Sequence, residues 1–471
     1  MALRIIARVS IVALGLLAPM PAARAQTSVD ERGARALFAE LVGINTTHDH
    51  GNTTIAARAV RRRLLAAGFP AKDIVIAGPH PVRQNLVARL RGSGARKPII
   101  LLAHLDVVEA RREDWSLEPF TLTEKDGYFY GRGTSDIKNM AALFTQTMIR
   151  LKRERVPLDR DVILALTADE EGGDDNGVQW LLAKRRPLID AEYVINGDGG
   201  DPVMRDGQVY ARNVQASEKV YMDLRLEVRN PGGHSSLPVK ENAIYRLSAA
   251  LTRLAGYQFP ARLNEVTRAY FTRAAASAPD TIAPRMRMVG ETGDTTAMRR
   301  LSAGSAWFNA VLRTTCVATQ LEGGHAANAL PQTAAANVNC RMLPDESPDT
   351  VIETIRRLVA DTAVQITVTS AAVPSPSSPL VPEVLEPIDS ITASMWPGAA
   401  VVPSMETGAT DGLFFRNAGI PVYGISAVAL DADDIRAHGQ DERIRVDAFY
   451  RGLEFTTRLV RAVAGRVGPS P

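Results

Sequence analysis

Three short, near-continuous apolar runs constrain this chain more than any other feature: Pro98 to Ala103, Val162 to Leu166 and Tyr193 to Ile195. Runs so short and so uniformly apolar read as strands buried on both faces, the condition of a parallel sheet covered by helices on either side. Met140 to Leu151 and Gly177 to Lys184 carry helical spacing between them. Strands alternating with helices predict an α/β fold, a three-layer, mostly parallel sheet. Each run stops at chemistry. His104 follows the first, Asp169-Glu170-Glu171-Gly-Gly the second and Asp198-Gly-Gly the third. Open α/β sheets keep their ligands beyond the carboxyl ends of their strands, so function is expected on that edge.

The pattern changes after Val214. Tyr221 to Val228 alternates as a half-exposed strand, and Asn242 to Leu254 is an amphipathic helix. Strands at Arg313 to Leu321 and Ala334 to Met342 precede a helix from Pro348 to Leu358 and a strand from Val364 to Thr369. That order, βαββαβ, predicts an inserted ferredoxin-like α+β layer. Within it, Gly256 to Ala310 is an Ala- and Arg-rich helical insert whose role the sequence does not disclose. Pro374-Ser-Pro-Ser-Ser-Pro379 reads as a linker back to the first unit, and Val446 to Ala464 as a closing helix. The expected organisation is a discontinuous α/β domain, 26–214 and 373–471, interrupted by an inserted α+β domain, 215–372.

The first 25 residues have a basic start, a short apolar centre from Val9 to Ala18 and an Ala23-Arg24-Ala25 end, the pattern of a secretory signal peptide. Removing them takes away Arg4, Arg8 and Arg24 and no acids, so the net charge of +3 falls to zero. A neutral mature chain gives no electrostatic case for nucleic acid, and no later apolar run reaches the roughly 20 residues that a membrane span needs. A periplasmic or secreted protein is expected. With only two cysteines, Cys316 and Cys340, a thiolate zinc site is ruled out. The pair falls on neighbouring strands of the expected hairpin, where either a disulfide or free thiols can result.

Any metal must therefore be held by His, Asp and Glu. Glu170 and Glu171 on one turn repel each other unless a cation lies beside them; alone, they also read as a solvated acidic turn. Asp106 follows His104 at a spacing that lets it hold the imidazole in one tautomer. Asp136 ends Gly131-Arg-Gly-Thr-Ser-Asp136 just before a helix, where an N-cap role explains its position but not the two glycines. With Asp198 and His438-Gly-Gln-Asp-Glu442, these supply His and carboxylate ligands from several strand ends, a mix that suits zinc.

These motifs, in this order, resemble those of the co-catalytic zinc metallopeptidases that include aminoacylase, succinyl-diaminopimelate desuccinylase, bacterial glutamate carboxypeptidase and carboxypeptidase S. The resemblance makes the discontinuous unit a catalytic domain and the inserted one a lid and dimerisation domain. It implies two Zn2+ ions per subunit, with Co2+ or Mn2+ as substitutes. Asp136 would bridge them, His104 and Asp198 would complete one site, and Glu171 and His438 the other. It further implies Glu170 as general base, Asp106 as partner of His104, and a cis peptide at Asp136-Ile137. His234, in Asn230-Pro-Gly-Gly-His234, would reach the partner subunit's active site and stabilise an oxyanion, which implies a homodimer. Asn328 and Arg341 would bind a substrate carboxylate. Gly408-Ala-Thr410-Asp411 matches a substrate loop except that Ala409 replaces a glycine, while His325 reads as a turn residue.

The wording from Thr314 to Pro331 is most similar to the carboxypeptidase S branch. The expected activity is metal-dependent hydrolysis of an amide bond, releasing a C-terminal amino acid from a small peptide or an N-acyl amino acid. A dipeptidase or aminopeptidase on the same centre is the alternative. A non-catalytic periplasmic binding protein would have lost a ligand or the base, and none of the six candidates is missing.

Overall fold

The computed structural model describes residues 28–173 and 175–465; the leader expected over 1–25 lies outside them. Among the described residues the centre is a mixed ten-stranded sheet. Its path runs Ile74–His80, Arg83–Leu90, Val162–Thr167, Ile99–His104, Tyr193–Asn196, Val422–Gly424, Gln208–Glu218, Pro202–Arg205 and Leu430–Asp431, with Ala400–Glu406 pairing off Gln208–Glu218. The three apolar runs lie side by side and parallel, Ile99 opposite both Val162 and Tyr193.

Period-two alternation sorts their side chains into two layers. Ile99, Leu101, Val162 and Leu164 enter the core shared with the helices Lys138–Arg153 and Val446–Ala464. Ile100, Leu102, Ile163 and Ala165 pack instead against Gly177–Lys184 and Gly412–Asn417. Covering both faces makes these strands wholly apolar, and their polar ends emerge together on one edge.

The inserted layer is a four-stranded antiparallel sheet ordered Thr315–Gly323, Thr333–Met342, Val220–Arg229, Val364–Ser370, backed by the helices Ala243–Ala255 and Pro348–Val359. Numbered along the chain, that is the 2-3-1-4 arrangement of a ferredoxin-like layer. Cys316 and Cys340 face each other across its first ladder and are joined as a disulfide.

Packing departs from the expected boundaries in one place. The helices Glu265–Ala274, Ala283–Thr292 and Thr295–Gly304, placed with the lid by the 215–372 boundary, bury Phe271, Met286, Val289 and Leu301 in the large sheet's core. Their apolar faces find Val401 and Met405 there, so they extend the catalytic unit. The Pro374–Pro379 stretch returns to the first unit and is bonded into it: Ser378 N donates to Ala216 O at 2.7 Å, and Ser378 Oγ both donates to Val422 O and accepts from Val422 N. Among the described residues no helix is long and apolar enough to cross a membrane.

Candidate metal centre

Parallel alignment brings His104, Glu170, Glu171 and Asp198 to the same sheet edge, because each follows the carboxyl end of one of the three central strands. Asp136 arrives from the loop before Lys138–Arg153. Its carboxylate caps no helix: Ile137 occupies the cap position without a side-chain cap bond. Instead Asp136 Oδ1 lies 3.1 Å from His104 Nε2 and Oδ2 lies 3.1 Å from His438 Nε2, so one carboxylate faces two imidazoles. His438 Nε2 is also 2.9 Å from Glu171 Oε1. The Asp136–Ile137 peptide is cis.

Donor atoms of His104, Asp136 and Glu171 all lie within 4.8 Å of one another, as do those of His104, Glu170 and Asp198. The two sets overlap at His104, which has one ring nitrogen left to offer, whereas Asp136, with one oxygen toward each imidazole, is the carboxylate able to serve a pair of divalent ions. The electrostatics agree. Burial raises Glu170 well above the usual carboxylate range, with Asp198, Asp411 and Glu171 adding to the effect and His104 opposing it. Burial likewise raises Asp198, and Asp136 adds to it. Burial alone would raise Asp136 too, but the His104 and His438 hydrogen bonds outweigh it and hold that carboxyl low. Hydrogen bonds to Asp136 and Glu171 push His438 up to about 10. Glu170, Asp198 and His438 hold protons more tightly than usual, the mark of a site short of positive charge, which its oxygen and imidazole donors can take from a metal.

Asp106 holds His104 differently from expectation. The imidazole Nδ1 pairs at 3.0 Å with the Asp106 backbone carbonyl, while the carboxylate accepts the Glu171 N–H at 2.8 Å. Its side chain thus orients the neighbouring Glu171 turn through Oδ2, while Oδ1 stands 3.9 Å from His104 Nδ1, beyond hydrogen-bond reach. Gly200 makes the Asp198 turn possible. Its φ is +66°, and a Cβ there would stand 2.0 Å from Gly424 O.

Beside Asp136 and Asp198 opens a cavity of about 390 Å3, lined also by Gly408, Thr410, Leu430, Ile435, Asp201 and Glu406. Gly408 and Thr410 thus lie on the wall of this cavity. The Thr410 hydroxyl, however, donates to Glu218 Oε2 at 2.9 Å, which anchors the loop. Burial, with Asp201 adding, pushes Glu406 up to about 7. The lid residues stand apart from the cluster. His234 is exposed on a two-stranded ribbon, Gly233–His234 with Ala329–Leu330, and Asn328 adjoins it by accepting the Ser235 N–H at 3.0 Å. The His234 Nδ1 accepts from Ser236 N at 3.2 Å, leaving Nε2 as the protonated nitrogen. Arg341 lies 4.6 Å over the Tyr221 ring. His325 is exposed in the connection between the ribbon and strand Thr315–Gly323.

Sequence reasoning gave no role to several buried groups behind the cluster. Asp411 accepts from Thr167 Oγ1 at 3.0 Å and Asn176 Nδ2 at 2.5 Å, and burial pushes it up to about 6. Arg416 pairs with Glu218 at 2.5 Å. Lys138, fully buried, donates to Ile44 O at 2.8 Å and is pushed down to about 7 by burial. Asp411 stood inside a recognised motif; Arg416 and Lys138 carried no local signal.

Residues 100–462 match the profile described as peptidase family M20/M25/M40. Among curated proteins, the human N-fatty-acyl-amino acid synthase/hydrolase PM20D1 is 31% identical over 378 residues, 78% of this chain and 74% of that protein. The probable carboxypeptidase S-like 2 of Dictyostelium discoideum is 26% identical over 376 residues, 78% of this chain and 71% of its own length. Among solved structures, the M20 family metallo-carboxypeptidase Sso-CP2 from Sulfolobus solfataricus superposes with a TM-score of 0.70 at 18% identity, covering 91% of this chain and 99% of that one.

Proposed function

Because the chain belongs to peptidase family M20/M25/M40, we propose that its amide hydrolysis uses two zinc ions and releases a C-terminal amino acid from an N-acyl amino acid or small peptide. The observation that carries this is Asp136, whose two oxygens face His104 and His438, with Glu171 grouped beside it and Asp198 grouped with His104 and Glu170. When bound, a divalent pair supplies the positive charge that acidifies water and polarises the scissile carbonyl. His104, Asp136 and Asp198 would hold one ion, and Asp136, Glu171 and His438 the other; cobalt or manganese fits the same donors.

Glu170 is the group left to move the proton. Its carboxylate takes one proton from the attacking water as the C–O bond forms, then delivers it to the amide nitrogen as the C–N bond breaks. The Nε2–H of His234, exposed on the lid ribbon, is in the tautomer that donates to an oxyanion, and it would do so in the partner subunit of a homodimer. Asn328 and Arg341 would receive the substrate carboxylate, the latter through its planar fork. Residues 1–25 would direct the protein to the periplasm or outside the cell.

Similarity to an N-fatty-acyl-amino acid hydrolase favours N-acyl substrates. A dipeptidase reading draws on Asp201 and Glu406, cavity-wall acids suited to a free α-amine. Turnover of N-acyl amino acids beside the matching free dipeptides, with metal analysis, separates the two. Glu170→Gln keeps its metal and loses about 10²–10⁴ in kcat; normal turnover in that variant sinks the mechanism.

A further inference from the structure

Glu442 is wholly buried, and its side chain collects donors from a single distant loop. Its Oε1 accepts Ser135 N at 2.7 Å, Ser135 Oγ at 3.0 Å and Asp136 N at 3.1 Å. Its Oε2 accepts Gly133 N at 3.0 Å and Arg132 Nη1 at 2.7 Å. The Glu442 backbone joins in, its carbonyl accepting Gly131 N at 3.0 Å. Every donor belongs to Gly131–Asp136, the loop that ends on the carboxylate shared by His104 and His438. The burial is tolerable only because the charge is so fully satisfied; a buried carboxylate with fewer partners would be strongly unfavourable.

The same short segment carries His438, four residues earlier in the chain. Next to Glu442, Asp441 takes Ser116 N at 2.9 Å and Ser116 Oγ at 2.8 Å, a second tie. Arg436 and Arg443 brace the segment from within through Asp434. One end of the segment therefore grips the backbone of Asp136, while the other presents the imidazole that meets Asp136 Oδ2.

We infer that Glu442 is a positioning residue for the metal centre: its carboxylate locks the Asp136 loop and the His438 segment into one rigid unit. It touches neither metal nor substrate. Fixing the Asp136 N–H fixes where that carboxylate points, and fixing Glu442 fixes how far His438 lies from it. Partners that orient a metal's ligands contribute about 10–100-fold in metal affinity. Glutamine at 442 places an NH2 where a donor now points, so at least one of the bonds inverts to repulsion while the side chain keeps its size. The inference rests on reading the cluster as a metal centre.

The test is Glu442→Gln in the full chain, with Zn2+ affinity measured by competition against a chromophoric chelator and folding followed by circular dichroism. The expected result is a native spectrum, a tenfold or greater loss of Zn2+ affinity and a fall in kcat with KM nearly unchanged. Glu442→Asp, which keeps the charge on a shorter arm, should recover part of the loss. A merely structural role would lower the unfolding midpoint and leave affinity per folded molecule intact, and a loss below tenfold overturns the inference. If Glu442→Gln yields no folded protein, Ser135→Ala removes one donor and leaves the charge: a threefold or greater loss supports the inference and an unchanged affinity overturns it. Failure of the unaltered protein to bind any divalent metal would overturn the metal-centre reading itself, a result distinct from equal affinities in the two proteins.

Discussion

Arg416→Met tests how much the buried Arg416–Glu218 pair behind the cavity contributes to stability. Arg416 Nη2 lies 2.5 Å from Glu218 Oε1, and both side chains are 2% exposed. The contact is close but poorly aligned as a hydrogen bond, so its worth is chiefly Coulombic. At an effective dielectric constant of about 20, that separation corresponds to roughly 6–7 kcal/mol, an upper bound before desolvation is subtracted. Removing one member of a buried pair costs about 3–5 kcal/mol, because the other is left as an uncompensated charge. Glu218 keeps partners on its second oxygen: Thr410 N at 3.2 Å, Thr410 Oγ1 at 2.9 Å and Gln215 Nε2 at 3.1 Å. The loss should therefore fall near the lower end, about 3 kcal/mol. Equilibrium urea unfolding followed by circular dichroism, at fixed metal content, measures it. Adding Glu218→Gln to Arg416→Met neutralises the stranded charge and should recover more than half of the deficit. A single-variant loss under about 1 kcal/mol, or no recovery in the double variant, refutes the reasoning.

Three further outcomes follow from the same geometry. In metal-free protein His438 is pushed up to about 10 from its ordinary value near 6.5. Its stabilisation is therefore complete below pH ~6.5 and is lost as pH rises through ~10; the gap in urea midpoint between the protein and His438→Asn should shrink over that window, and a gap that widens contradicts the pairing with Asp136 and Glu171. Chelation should abolish hydrolysis and lower the thermal midpoint, with both restored by Zn2+, Co2+ or Mn2+; full activity after exhaustive chelation ends the metal reading. Because Cys316 and Cys340 are joined, thiol titration in denaturant should find no free thiol before reduction and two after it.

The central strands were legible because burial on both faces leaves an unmistakable apolar run, and their ends supplied the candidate ligands in order. Val446–Ala464 and Gly177–Lys184 were readable to the residue for the matching helical reason. Gln208–Glu218 was not. This strand buries Arg212, Gln215, Ser217 and Glu218, so it lacks the hydrophobic signature of an interior strand; Gln215 bonds to Glu218 within it, and Gly200, Thr410 and Arg416 supply partners from outside that make the burial tolerable. The helical insert was seen as helical but misplaced, since amphipathic helices declare a buried face without saying which surface covers it. In the cluster, motif positions identified the donors, whereas the Asp106 contact through its carbonyl and the five bonds to the Glu442 side chain depend on backbone direction that spacing alone does not fix.

His438 meets Glu171 across 267 residues of chain, with the whole inserted layer between them. A polypeptide emerging from the ribosome has four of the five proposed ligands in place long before the fifth exists. Such a partial chain holds crowded acids with nothing to complete them, which makes it a poor and indiscriminate trap for cations. On the proposed ligand set, secure loading would wait until the segment carrying His438 has folded back, so metal retention would report that the chain is finished and closed around the centre.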